Sequence, residues 1–101
     1  MKVNVSGCSV KEAMRLLGGR WRLLIVSYLV DGPKLRRDIT GISQRSLTLD
    51  LRALEKSGLV KRTVWPSAPV RVDYELTLDG KRLKPVVNVM KEFGMWLKQK
   101  S

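Results

Sequence analysis

One stretch, GISQRSLTLDLRALEKSGLV (Gly41–Val60), restricts the fold of this chain more than any other. Stepping along it at about 100° per residue brings Leu51 and Leu54 to within about 40° of Leu47. Arg45, Thr48, Leu49, Arg52 and Lys56 gather on the far side, between about 100° and 200° around. Ser43 is a good N-cap and Gly58 a good stop, so the expected helix runs from Ser43 to Ser57. Such a helix must press its leucines on a core and leave a cationic, donor-rich face outside.

The flanks supply that core. SVKE at Ser9–Glu12 has the form of a capping box, and Val10, Ala13, Met14 and Leu17 share a face before Gly18-Gly19 ends the helix. RWRLLIVSYLV (Arg20–Val30) is apolar enough to be central, with Trp21, Leu24, Ile25, Tyr28 and Leu29 on one side and Leu23, Val26 and Val30 widening it. Asp31–Pro33 breaks it. KLRRDI (34–39) is read as a short helix, with Leu35 and Ile39 four apart.

Beyond Gly58, LVKRTVW and RVDYELT alternate apolar and polar residues as half-buried strands do, and the two prolines of PSAPV make their link an irregular loop. Thr77 is expected to cap a final helix, with Pro85 kinking its first turns. The expected order is helix, helix, short helix, helix, strand, strand, helix. The fold class is mainly α with a small antiparallel β-hairpin, a winged helix-turn-helix. The 101 residues suit one domain: an arm over 1–8, a core over 9–76 and a C-terminal helix over 77–100.

Charge suggests the partner. Twenty Lys+Arg against nine Asp+Glu leave a net +11, above the magnitude of about 2–8 usual for a small soluble domain. An excess this large draws polyanions, nucleic acid first and an anionic membrane surface second. Enzyme chemistry finds little support: there is no histidine, no P-loop, and GGR lacks the rest of a dinucleotide fingerprint. One cysteine without histidine cannot build a cysteine-based zinc site, and no cofactor is expected. The longest apolar run, LLIVSYLV, falls far short of the roughly 20 residues of a membrane span. The N-terminus has no signal-peptide core, so a cytoplasmic protein without membrane contact is expected.

A helix of this kind fits the major groove of B-DNA. Arg45, Thr48 and Arg52 are the expected base-facing residues, with Gln44 and Leu49 at the edge. Arginine can grip guanine O6 and N7, and glutamine can grip adenine in the same paired manner. Ser43, Lys56, Lys61, Arg62 and Arg71 are expected to hold phosphates or to guide the strand-loop-strand unit as a wing. Taken alone, the helix face reads equally as a solvated surface. A short helix before it and a basic hairpin after it favour DNA.

LLGGRWRLLIV followed by GISQRSLTLDLRALEKSGLVKRTVWPSAPVRVDYELTLDGKRLKPV resembles the HxlR-type transcriptional regulators, a winged-helix family related to the MarR group. The likeness covers nearly the whole chain, from Cys8 to Trp96, and implies a homodimer, paired through its first and last helices, that binds an operator and regulates nearby genes. One departure is clear. GPKLRRDITG is shorter than the family's corresponding segment, leaving room for about one and a half helical turns.

Self-association also has a reading in the residues. The apolar stripe from Leu83 to Leu97 is too long for so small a core to cover. Val10, Met14, Leu17, Val87, Met90, Phe93, Trp96 and Leu97 are the expected seam, the alternative being a helix folded back on its own core. Two copies would read a palindrome with half-site centres about 34 Å apart or a multiple of that. Cys8 stands just ahead of the first helix, where the helix end with Lys2 and Lys11 surrounds the sulfur with positive potential. The resemblance implies that a cysteine here can sense oxidants, and the alternative is a small buried apolar residue. Sequence-specific regulation of transcription is the expected function. A protein-docking module and a nonspecific DNA-packing protein are the alternatives.

Overall fold

The structure is a computed structural model and describes residues 7–100. Most of the arm assigned to 1–8, including Lys2, lies outside the described residues. The elements run α1 (Ser9–Leu17), α2 (Arg22–Leu29), β1 (Lys34–Leu35), a 3₁₀ turn (Arg36–Asp38), α3 (Gln44–Lys56), β2 (Val60–Trp65), β3 (Arg71–Leu76), a second 3₁₀ turn (Gly80–Leu83) and α4 (Lys84–Lys100).

The helix drawn from Gly41–Val60 forms as expected. Leu47, Leu51 and Leu54 are buried to 0%, 1% and 1% exposure. Ser43 holds an extended backbone and its hydroxyl accepts from the Ser46 amide at 3.2 Å, which satisfies one of the free N–H groups of the first turn. The far end closes in a Schellman motif: Gly58 N–H donates to Glu55 O at 3.0 Å and Leu59 N–H to Leu54 O at 3.1 Å. That closure needs a left-handed residue, and Gly58 supplies it with φ +83°. Leu54, Leu59 and Val60 then carry the chain from the helix straight into the sheet.

Four expectations are corrected. First, KLRRDI is not a short helix. Lys34 and Leu35 pair with Tyr74 and Asp73 of β3, and only a 3₁₀ turn remains. The segment is too short to make both a strand and a full helix, and the β3 edge offers partners for its backbone. The expected hairpin is thereby a three-stranded antiparallel sheet in the order β1-β3-β2. Second, the capping box at Ser9 does not form. Cys8 takes the extended N-cap position with no side-chain cap, and Glu12 pairs with the exposed Arg15 instead.

Third, Leu24 and Tyr28 of α2 are partly exposed, while Ile25, Val26 and Leu29 form its buried face and Trp21 packs against it. Fourth, Thr77 caps the second 3₁₀ turn rather than an α-helix. Its hydroxyl accepts from Gly80 N–H at 3.0 Å and donates to Gly58 O at 2.6 Å. The turn passes into α4 at Lys84, so Pro85 falls in the first α-helical turn, where its missing N–H costs nothing. Gly80 is obligatory at this joint, since a Cβ there would stand 2.1 Å from Leu59 O.

The core sits among α2, α3, the sheet and a single residue of α4. It comprises Ile25, Val26, Leu29, Ile39, Ile42, Leu47, Leu51, Leu54, Val60, Tyr74, Leu76 and Val87. No residue of α1 is buried, and α4 contributes only Val87. The radius of gyration is 15.6 Å, against about 13 Å for a compact domain of this size. The excess reflects helices that project from the core instead of covering it.

Candidate nucleic-acid interface

The outward side of α3 is built by the periodicity that buries its leucines. Arg45, Arg52 and Lys56 are exposed, and Leu49 is 56% exposed between them. Support comes from behind: Arg22 Nε donates to Asp50 Oδ1 at 3.2 Å, and Arg22 Nη1 reaches Leu16 O at 3.0 Å. One guanidinium thus ties α3 to the end of α1. This half-buried pair holds a position more than it adds stability.

Gln44 and Thr48, one turn apart, are not free. Arg36, at the start of the first 3₁₀ turn, donates through Nη2 to Gln44 Oε1 at 3.3 Å and also to Thr48 Oγ1. Arg36 was not among the residues expected at the site. Its signal in the sequence was hidden because KLRRDI read as a helix, which would have carried its arginines elsewhere.

The wing residues divide between the two faces of the sheet. Antiparallel pairing sets Arg62 opposite Tyr74, while Lys61 lies opposite Glu75 and Trp65 opposite Arg71. With side chains alternating along a strand, Arg62 shares the helix-facing side with Val72 and Tyr74, and Lys61 and Arg71 share the other. Lys61, Arg62 and Arg71 therefore do not make one cationic face. Arg62 joins Arg36, Thr48, Arg52 and Glu55 around a cleft of about 260 Å³ floored by Leu51, Val72 and Tyr74. A second cleft, about 550 Å³, runs between the wing loop (Ser67–Arg71) and Arg36, Arg37 and Gln44.

Arg71 is already engaged. Its Nε and Nη2 donate to the two oxygens of Asp73 at 3.1 and 3.2 Å, and Trp65 Nε1 donates to Asp73 Oδ2 at 2.9 Å. The Arg71 guanidinium, helped by the indole N–H, holds the Asp73 carboxyl below the ordinary carboxylate range, and Asp73 raises Arg71 in return.

The expected self-association seam is placed differently. Val10, Met14, Met90, Phe93, Trp96 and Leu97 are exposed, from 47% to 69%, and Leu17 is half-buried. Val87 is not part of this surface: it is 2% exposed and belongs to the core. Its angle explains the error, since Val86, Met90, Phe93 and Leu97 lie within about 60° of one another on the helix while Val87 lies about 100° from Val86. Val86, on the expected stripe though not named in the seam, and Val89, outside both, are exposed beside them at 42% and 63%. Phe93 and Trp96 stack with ring centroids 5.7 Å apart. Cys8 is a free, partly exposed thiol at the start of α1.

This arrangement has counterparts among known proteins. Residues 16–101 match the family model described as HxlR-like helix-turn-helix. The uncharacterised HTH-type transcriptional regulator YybR of Bacillus subtilis (strain 168) is 41% identical over 95 residues, which span 90% of this chain and 76% of that protein. A protein of Porphyromonas gingivalis W83, provisionally assigned to the MarR family of transcriptional regulators, superposes with a TM-score of 0.85 at 32% identity, over 94% of this chain and 97% of its own. The redox regulator HypR in its oxidised form superposes with a TM-score of 0.79 at 40% identity, over 87% and 95% of the two chains.

Proposed function

We propose a function that proceeds from one premise: this chain belongs to the HxlR-like helix-turn-helix family of transcriptional regulators. It acts as a homodimer that recognises a palindromic operator in duplex DNA. α3 enters the major groove, where Arg45, Thr48 and Arg52 meet base edges with Gln44 and Leu49 at the margin. Ser43, Lys56 and Arg62 lie along the phosphates. Lys61 and Arg71, on the other face of the sheet, meet the backbone where the wing follows it. The single observation that carries this reading is the outer face of α3, cationic and open to solvent on a helix whose inner face is fully packed.

Dimerisation is supported by the apolar faces of α1 and α4. A monomer rarely leaves a contiguous apolar surface of this kind uncovered, and a two-fold pairing presents two copies of α3 to one duplex. Among the described residues no helix is long and apolar enough to cross a membrane. Cys8 is proposed as an oxidant-responsive group, supported by its partial exposure at the start of α1 and by the likeness to HypR. If Cys8→Ser leaves the oxidant response of DNA binding unchanged, Cys8 has no such role.

The test is selection from a random duplex library, followed by salt titration of the winning site. A regulator enriches a palindrome and loses affinity steeply as salt rises, because bound cations displace condensed counterions. Steep salt dependence without an enriched site would indicate a DNA-packing protein. Weak, salt-insensitive binding would indicate a protein-docking module.

A further inference from the structure

The bonds from Arg36 set which hydrogen-bonding groups α3 has left to offer. A glutamine amide carries an acceptor oxygen and a two-hydrogen donor nitrogen, and arginine only donates. Because Arg36 Nη2 lies 3.3 Å from Gln44 Oε1, that oxygen is turned toward the guanidinium and the NH₂ group is left outward. The second bond does the same one turn later: the Thr48 oxygen accepts from Arg36, so its hydroxyl hydrogen is the group left to give. Gln44 and Thr48 stand at i and i+4, on one stripe of the helix.

We infer that Arg36 is a positioning residue that engages the oxygens of Gln44 and Thr48 and leaves their N–H and O–H groups as the ones turned to DNA, so that the operator beneath the N-terminal half of α3 presents guanine or thymine. The inference rests on the proposed reading of α3 as the DNA-reading helix and specifies its preference. In the major groove, guanine shows the acceptors N7 and O6 and thymine shows O4. Adenine and cytosine show amino donors at N6 and N4. The paired grip of glutamine on adenine needs the carboxamide oxygen to face N6, and Arg36 holds that oxygen away. The guanidinium beside it also disfavours the approach of another donor. Arg36 stands at the head of a 3₁₀ turn of three residues, Arg36–Asp38, that precedes α3 in the chain.

The experiment is selection from a random duplex library with the full-length wild-type chain, Arg36→Ala, Gln44→Ala and the double variant, with salt titration of each winner and circular dichroism as the folding control. The wild type is expected to enrich guanine or thymine at the positions that change in Gln44→Ala. Arg36→Ala is expected to admit adenine there, with the preference for guanine or thymine over adenine falling about 5-fold or more. Its salt slope should stay unchanged, and at the positions read by Gln44 the double variant should match Gln44→Ala in base choice.

The inference is overturned if Arg36→Ala weakens every sequence alike and reduces the salt slope by about one, which marks a phosphate contact. It is equally overturned if the wild type enriches adenine at those positions, or if base choice is the same without Arg36. A wild type that enriches no site overturns the DNA-reading premise itself, an outcome distinct from the other three. Should alanine unfold the chain, Arg36→Lys keeps the cation but loses the planar fork. It is expected to loosen base choice at constant salt slope, and unchanged base choice in that variant overturns the inference.

Discussion

α3 and α4 are both amphipathic helices on one small core, and they differ in what they leave uncovered. α3 buries Leu47, Leu51 and Leu54 and turns Arg45, Arg52 and Lys56 to solvent. α4 is longer, 17 residues against 13, yet buries only Val87 and leaves Val86, Val89, Met90, Phe93, Trp96 and Leu97 open. One face offers donors and positive charge, which suits a polyanion. The other offers apolar area, whose natural cover is a like surface. The lesson is that the face a helix leaves open, more than the face it buries, tells its partner's chemistry.

The comparison makes α3 indispensable to the fold and the outer face of α4 dispensable to it. The largest expected effect is therefore on the leucine side of α3. Leu51→Ala should cost about 2–5 kcal/mol in urea-induced unfolding, because it leaves a cavity where nothing can collapse freely. Next is Phe93→Asp, which should weaken self-association by about 2 kcal/mol or more while leaving the fold of each chain intact. Sedimentation would show monomers of 11.5 kDa with native circular dichroism. Unfolding by this variant would erase the contrast between the two helices.

A smaller effect is expected from the outer side of α3. Arg52→Ala should lose about 1–3 kcal/mol on the selected site and much less on random duplex, measured by fluorescence anisotropy. Equal losses on both would remove base reading from Arg52.

The smallest effect concerns the wing. Asp73 is held below the ordinary carboxylate range by Arg71. A group whose folded pKa is depressed adds stability above its unfolded value, about 3.9 for aspartate. That stability is lost as pH falls through the folded value. The wild type should therefore lose a small increment of thermal stability below about pH 4 that Asp73→Asn lacks, a difference that calorimetry across pH 2–6 would resolve.

The legibility of these regions in the sequence followed the same contrast. The α3 leucines, its Ser43 cap and its Gly58 stop were readable because they are local: 3.6-residue periodicity and two terminal residues determine them. The faces of α4 were misread by one residue at Val87, because the apolar surface there is wide and periodicity alone does not say which edge the core takes. β1 could not be read from KLRRDI, since its strand character comes from β3, some forty residues away in the chain. The same long-range pairing concealed Arg36. Lys61 and Arg62 point to opposite faces of the sheet for a local reason, the alternation along β2, which a count of basic residues does not capture.

The most direct test of the account is amide-resolved NMR of the labelled chain as its selected duplex is added. The largest shifts are expected along Ser43–Lys56 and in β2, β3 and the loop between them, with Val86–Leu97 unchanged because the proposed second copy covers that face. Shifts concentrated on Val86–Leu97, with α3 unmoved, would contradict it.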